Sequence, residues 1–185
     1  MNIRFCLSLV FWALLAFYGC GGGSAAVEMK EAQKAIDQAK SLHAEDLAPT
    51  DFQLAQRTWD HAQGAAKEGK SDTAKVLFVS SKIYFEKASD IARSKQEALS
   101  RELKGMQLVI NSNLDQVKSD LSKKSLSPQQ QGQVKAIASE VTRDKASINK
   151  LVQEDDYLKA VATAKDVQSK LYNAQLILAG QRPVK

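Results

Sequence analysis

The sequence predicts an all-α protein: an elongated helical bundle or hairpin array made of two related three-helix units that share a long central helix. Three observations predict it. Between Ser71 and Ser122, small or apolar residues recur at steps of three and four, from Ala74, Phe78, Ser81, Phe85, Ala88 and Ala92 to Leu99, Leu103, Met106, Ile110, Leu114, Val117 and Leu121. That is the stripe of a helix, and with no proline inside, it predicts about fifty residues and roughly 75 Å of continuous spine. No segment alternates polar and apolar residues between turn signals, as a half-buried strand does. Finally, the chain repeats itself.

The repeat is read from matching segments and matching punctuation. Ile36-Asp37-Gln38-Ala39-Lys40-Ser41 aligns with Leu114-Asp115-Gln116-Val117-Lys118-Ser119 at an offset of 78 residues. The turn Leu47-Ala48-Pro49 aligns with Leu126-Ser127-Pro128 at 79, and Ala74, Phe85 and Ala88 align with Ala160, Leu171 and Ala174 at 86. The seven-residue gain is two helical turns, which lengthens the middle helix of the second copy and preserves its buried face.

Each element has its own signal. A first helix is expected from Val27 to His43, with Met29, Ala32, Ile36, Ala39 and Leu42 on one face. Ala44 to Ala48 breaks that pattern. Thr50 is the expected N-cap of the second helix, with Gln53 completing a capping box; Phe52, Ala55, Trp59, Ala62 and Ala66 form its stripe, and Gly69 ends it. Ser71 is the expected cap of the central helix. Ser127, Pro128 and Gln130 make a second capping box and open a fifth segment, whose stripe of Val134, Ile137, Val141, Ile148 and Leu151 is flawed at Asp144 and Lys145. Asp155 is the expected cap of the last helix, which carries Ala160, Ala164, Val167, Leu171, Ala174 and Leu178 and stops at Gly180. The expected boundaries are a leader at 1–19, a Gly/Ser linker at 20–26, one helical repeat at 27–105, a second at 106–180 and a basic tail at 181–185.

The leader has a positive start at Arg4 and an apolar run from Phe5 to Tyr18, too short for the roughly twenty residues of a membrane-spanning helix. Of two cysteines, Cys6 leaves with this segment and only Cys20 remains, so no intramolecular disulfide is available to the mature chain. Removing 19 of the 185 residues leaves 166, with Phe52, Trp59, Phe78, Tyr84, Phe85, Tyr157 and Tyr172 as the aromatic residues. Alanine seams therefore supply much of the packing.

The residues Ala16-Phe17-Tyr18-Gly19-Cys20 resemble the lipobox of bacterial lipoproteins, with Phe17 where leucine is usual. The resemblance implies cleavage between Gly19 and Cys20 and fatty acylation of Cys20, palmitate included. It also implies a membrane anchor facing the periplasm; Gly21, in place of aspartate, implies the outer membrane. From Met29 to Leu99, Ala32, Ala35, Ala39, Leu47-Ala48-Pro49, Ala55, Ala62, Gly69, Ala74, Ala88 and Ala92 resemble uncharacterised bacterial envelope lipoproteins with a tetratricopeptide-like domain of unknown function.

The formal charge of +5 is small and interspersed with acids, which argues against a nucleic-acid partner and leaves weak attraction to anionic polymers. His43 and His61 are not one helical turn apart, and Glu154-Asp155-Asp156 reads as a helix-terminus turn. No phosphate loop, nucleophile elbow or H-E-x-x-H motif occurs, so no catalytic, cofactor or metal residues are expected and the chain is not expected to be an enzyme. Trp59 is expected to anchor the core, with a partner contact as the other reading. The expected function is a lipid-anchored scaffold that engages envelope proteins through a helical, coiled-coil-like body. The alternatives are a pilotin-like chaperone for an outer-membrane secretion subunit and a peptidoglycan-binding lipoprotein.

Overall fold

A computed structural model describes residues 25–181. Gly19 and Cys20 lie outside the described residues, as do the leader and residues 182–185 of the tail. The described elements are all helical: α1 (Ala25–Ser41), α2 (Ala44–Leu47), α3 (Pro49–Lys67), α4 (Ser71–Lys123), α5 (Pro128–Gln153) and α6 (Tyr157–Leu178). The chain is an all-α bundle protein, with no strand among the described residues. It divides into two units, the first ending at Ser89 and the second beginning at Asp90. Helix α4 contributes to both, and Gly105 lies inside it.

In the first unit, alanines bring the helices close and rings fill the space between them. Ala32, Ala35, Ile36 and Ala39 of α1 are buried, while Met29, expected on that face, is exposed. His43 turns the chain with a left-handed backbone (φ 52°), and the expected break from Ala44 to Ala48 is instead a one-turn helix whose Ala44 and Leu47 are buried. Thr50 does not cap α3. Proline with its fixed φ and missing N–H suits the first helical position, so Pro49 takes it and Ala48 becomes the cap, its carbonyl accepting from the Phe52 N–H at 2.9 Å. Phe52, Ala55, Trp59 and Ala62 face inward as expected, and the last inward position is Ala65, with Ala66 exposed. The rings of Phe52 and Phe85 meet edge to face at 5.3 Å, and those of Trp59 and Phe78 at 5.1 Å. Buried Ser81 hydroxyl donates to the Ala55 carbonyl at 3.2 Å, tying α4 to α3. Outside, Lys82 pairs with Glu31 at 2.7 Å and Lys87 with Asp51 at 2.8 Å.

The second unit packs aliphatic side chains instead. Leu103, Ile110, Leu114 and Val117 of α4 meet Val134, Val141 and Ile148 of α5 and Ala160, Ala164, Val167, Leu171 and Ala174 of α6. Ser127 caps α5 as its sequence predicts: its hydroxyl accepts from the Gln130 N–H, the Gln130 side chain accepts from the Ser127 N–H, and Pro128 follows. The cap of α6 is Asp156, not Asp155; its carboxylate accepts from the Lys159 N–H at 3.2 Å.

The reason lies in the turn. Asp155 takes the left-handed backbone (φ 56°) that Gly69 takes in the first unit (φ 73°), which leaves the next residue to cap. The hydrogen bonds then coincide. Gly69 and Lys70 N–H groups donate to Ala66 and Ala65 carbonyls, and Asp155 and Asp156 N–H groups donate to those of Val152 and Leu151. The Lys70 carbonyl accepts from Ala74, as the Asp156 carbonyl accepts from Ala160. Ser71, expected as a cap, is accordingly the first residue of α4. Past each turn, Ala74, Phe78, Ser81, Phe85 and Ala88 are buried, and 86 residues on so are Ala160, Ala164, Val167, Leu171 and Ala174. The middle helices have 19 and 26 residues, a difference of one heptad.

A left-handed backbone is nearly free for glycine and costs another residue roughly 1–2 kcal/mol. No atom lies within 4 Å of a Cβ added at Gly69, so the effect of substitution there is conformational. Denaturant unfolding of three variants checks this: Gly69→Ala should lose about 1 kcal/mol, Asp155→Gly should gain a comparable amount, and Gly105→Ala, inside a helix, should gain up to about 1 kcal/mol.

Candidate functional site: an amide-rimmed crevice

Crevices open in both units. In the first, a crevice of about 280 Å³ is lined by Ala25, Ala26, Met29, Ala66, Gly69, Ser71 and Phe78. It offers almost no directional chemistry. In the second, a crevice of about 350 Å³ gathers Arg93, Arg101 and Lys104 with Glu97, Asp155 and Tyr157. Its opposite charges largely cancel.

The third lies between α4 and α5 and is built differently. About 260 Å³ in volume, it has Ile110 and Ile148 as its floor and Gln107, Asn111, Asn149 and Lys145 around them. Positions 107, 110 and 111 share one face of α4, and 145, 148 and 149 one face of α5, by the three-four spacing of a helix. The Gln107 amide nitrogen donates to the Asn149 amide oxygen at 3.4 Å. No carboxylate among the described residues lies within 4.0 Å of the Lys145 ammonium.

Asp144, the preceding residue, is engaged. Its carboxylate accepts from the Lys170 ammonium at 2.8 Å, and Asp166 holds the same ammonium at 2.9 Å. These hydrogen bonds, from Asp144 first and Asp166 second, raise the Lys170 pKa above the usual lysine value against a smaller opposing effect of burial. The flaw in the α5 stripe thus separates into a structural ion pair at Asp144 and a crevice-lining cation at Lys145.

The first unit carries a different residue where Lys145 stands. By the 86-residue correspondence of the two turns, Lys145 stands where Trp59 stands, and Ala164 where Phe78 stands. Trp59 is 7% exposed and Phe78 1%, so the first copy spends this position on packed rings. The tryptophan is a core residue. The candidate residues other than Trp59 do not converge: His43 lies at the α1 turn and His61 on the exposed face of α3. Among the described residues, no three His, Cys, Asp or Glu side chains gather as a metal-binding set. Sequence reasoning passed over Gln107, Asn111, Lys145 and Asn149. The interrupted stripe at Asp144 and Lys145 was the signal that could have found them.

Residues 27–102 match a family model described as a domain of unknown function, DUF4398. The matched stretch, less than half of the chain, is similar to that domain. No curated protein and no solved structure matches the chain. The matched stretch takes in most of α1, all of α2 and α3, and the part of α4 up to Glu102, and so contains the ring pair of Trp59 and Phe78. The amide-rimmed crevice, whose first residue is Gln107, lies beyond the matched stretch.

Two substitutions probe this division. Trp59→Ala removes a buried indole and should cost about 3–5 kcal/mol in unfolding free energy. Lys170→Met removes a partly exposed ion pair and should cost about 1 kcal/mol. Because the folded-state pKa of Lys170 is raised, its contribution is fully present below the ordinary lysine range and fades only as pH rises through the raised value. The difference between wild type and Lys170→Met should therefore stay constant from about pH 6 to 9 in urea-unfolding series.

Proposed function

We propose that the chain is a lipid-anchored protein of the bacterial cell envelope whose helical body binds other envelope components on the periplasmic side. The observation that supports it best is in the sequence: Gly19-Cys20 behind a short apolar run, followed at once by Gly21-Gly22-Gly23-Ser24. A run of glycine and serine is the composition of a linker. The described structure takes up at Ala25, where α1 begins. No helix among the described residues is long and apolar enough to cross a membrane.

The body suits binding better than catalysis. Its repeated framework fixes the inward positions and leaves the outward ones free to differ, so each unit presents its own surface. The polar groups of the crevice in the second unit can hold a ligand, and nothing beside them pairs a nucleophile with a base.

Fractionation tests the anchor. Wild type should be processed ahead of Cys20 and enter the detergent phase with outer-membrane markers; Cys20→Ala should remain uncut or become soluble. A Cys20→Ala protein that is processed and membrane-bound like wild type would contradict the proposal.

A further inference from the structure

We propose that the crevice between α4 and α5 binds a small N-acylated ligand that carries a carboxylate, the chemistry of the muramyl peptides of the bacterial cell wall. The inference rests on the envelope reading above for the source of the ligand, and on the crevice alone for its chemistry.

The chemistry follows from what the rim leaves unmet. Gln107, Asn111 and Asn149 each offer two donors and an acceptor, and the single 3.4 Å contact between Gln107 and Asn149 uses one donor and one acceptor. The remaining groups suit a partner that both donates and accepts, as an acetamido group and sugar hydroxyls do. Between the amides, the buried edges of Ile110 and Ile148 give a methyl group an apolar seat. Half-buried Lys145 adds a fixed positive charge, and a carboxylate is the ligand group that answers it. A neutral sugar would satisfy the amides and leave the ammonium unanswered. An apolar side chain would do the reverse of what the rim requires.

The duplication argues that this is a built difference. Correspondence with the first unit calls for an aromatic pair, as Trp59 and Phe78 show. The second unit has Lys145 and Ala164 there, on a middle helix longer by one heptad. Of these two positions, Lys145 lines the crevice, while Ala164 on α6 is fully buried and does not.

The test uses the purified full chain in detergent micelles, so it reads the crevice whatever the outcome of fractionation. Muramyl dipeptide (N-acetylmuramyl-L-alanyl-D-isoglutamine) should bind saturably and shift the side-chain amide NMR signals of Asn111 and Asn149. Lys145→Met should weaken it about tenfold, the ~1.4 kcal/mol of one charge-assisted hydrogen bond. N-acetylglucosamine, which has the acetamido group without the carboxylate, should bind wild type about tenfold more weakly than muramyl dipeptide does. Lys165→Met, which removes the partner of Glu102 on α6, should bind as wild type does. No amide shift at millimolar muramyl dipeptide, or equal affinity in Lys145→Met, would overturn the proposal. Should Lys145→Met fail to fold, Asn149→Leu serves in its place, and undiminished binding by it has the same consequence.

Discussion

Five positions on the third helix of each unit are sealed inside its core, and the space left there decides what every facing residue can be. In the first unit they are Ala74, Phe78, Ser81, Phe85 and Ala88; in the second, Ala160, Ala164, Val167, Leu171 and Ala174, all 1% exposed or less. The small residues let the helices approach, and the larger ones need a complementary surface opposite. Phe78 and Phe85 find it in Trp59 and Phe52, which stand seven residues apart on α3 and so face the same way. Val167 and Leu171 meet aliphatic neighbours from α4 and α5 instead.

That seam requires the turn before it to deliver the helix in register. The turns at Gly69 and Asp155 do so with the same set of backbone hydrogen bonds, although one residue suits the left-handed conformation and the other is strained by it. Asp155 is tolerated because its neighbour Asp156 gains the cap: its carboxylate accepts from the Lys159 N–H and pairs with the Lys159 ammonium at 2.6 Å. The position ahead of each third helix is thus conserved in shape and not in chemistry. The same holds between Ala48 and Ser127, where proline at the next position does the work of starting the helix and only Ser127 adds side-chain hydrogen bonds.

Much of the architecture was legible because it rests on spacing. The stripe along α4, the glycine at the end of α3, the capping box at Ser127 and the heptad of difference between the middle helices are all one-dimensional signals. The N-termini of α3, α4 and α6 were misplaced by one or two residues, since Thr50, Ser71 and Asp155 are good capping residue types set beside positions that backbone geometry favours more. The short α2 went unread because four residues carry no period. The crevice was legible only as a defect. Asp144 and Lys145 interrupt an apolar stripe in the same way on paper. Only in three dimensions does one meet Lys170 while the other lines open space beside Asn149 and Gln107, which are remote in sequence.

Each unit holds its own core, with α4 supplying a third helix to the first and a first helix to the second. Residues 25–102, which contain the matched domain and the whole buried face of the first unit, should then fold without the rest of the chain. The fragment should unfold cooperatively in urea, with Trp59 fluorescence blue-shifted as for a buried indole and red-shifting through the transition. A fragment lacking a cooperative transition, with Trp59 emitting from the start as in water, would show that the first unit does not own its core.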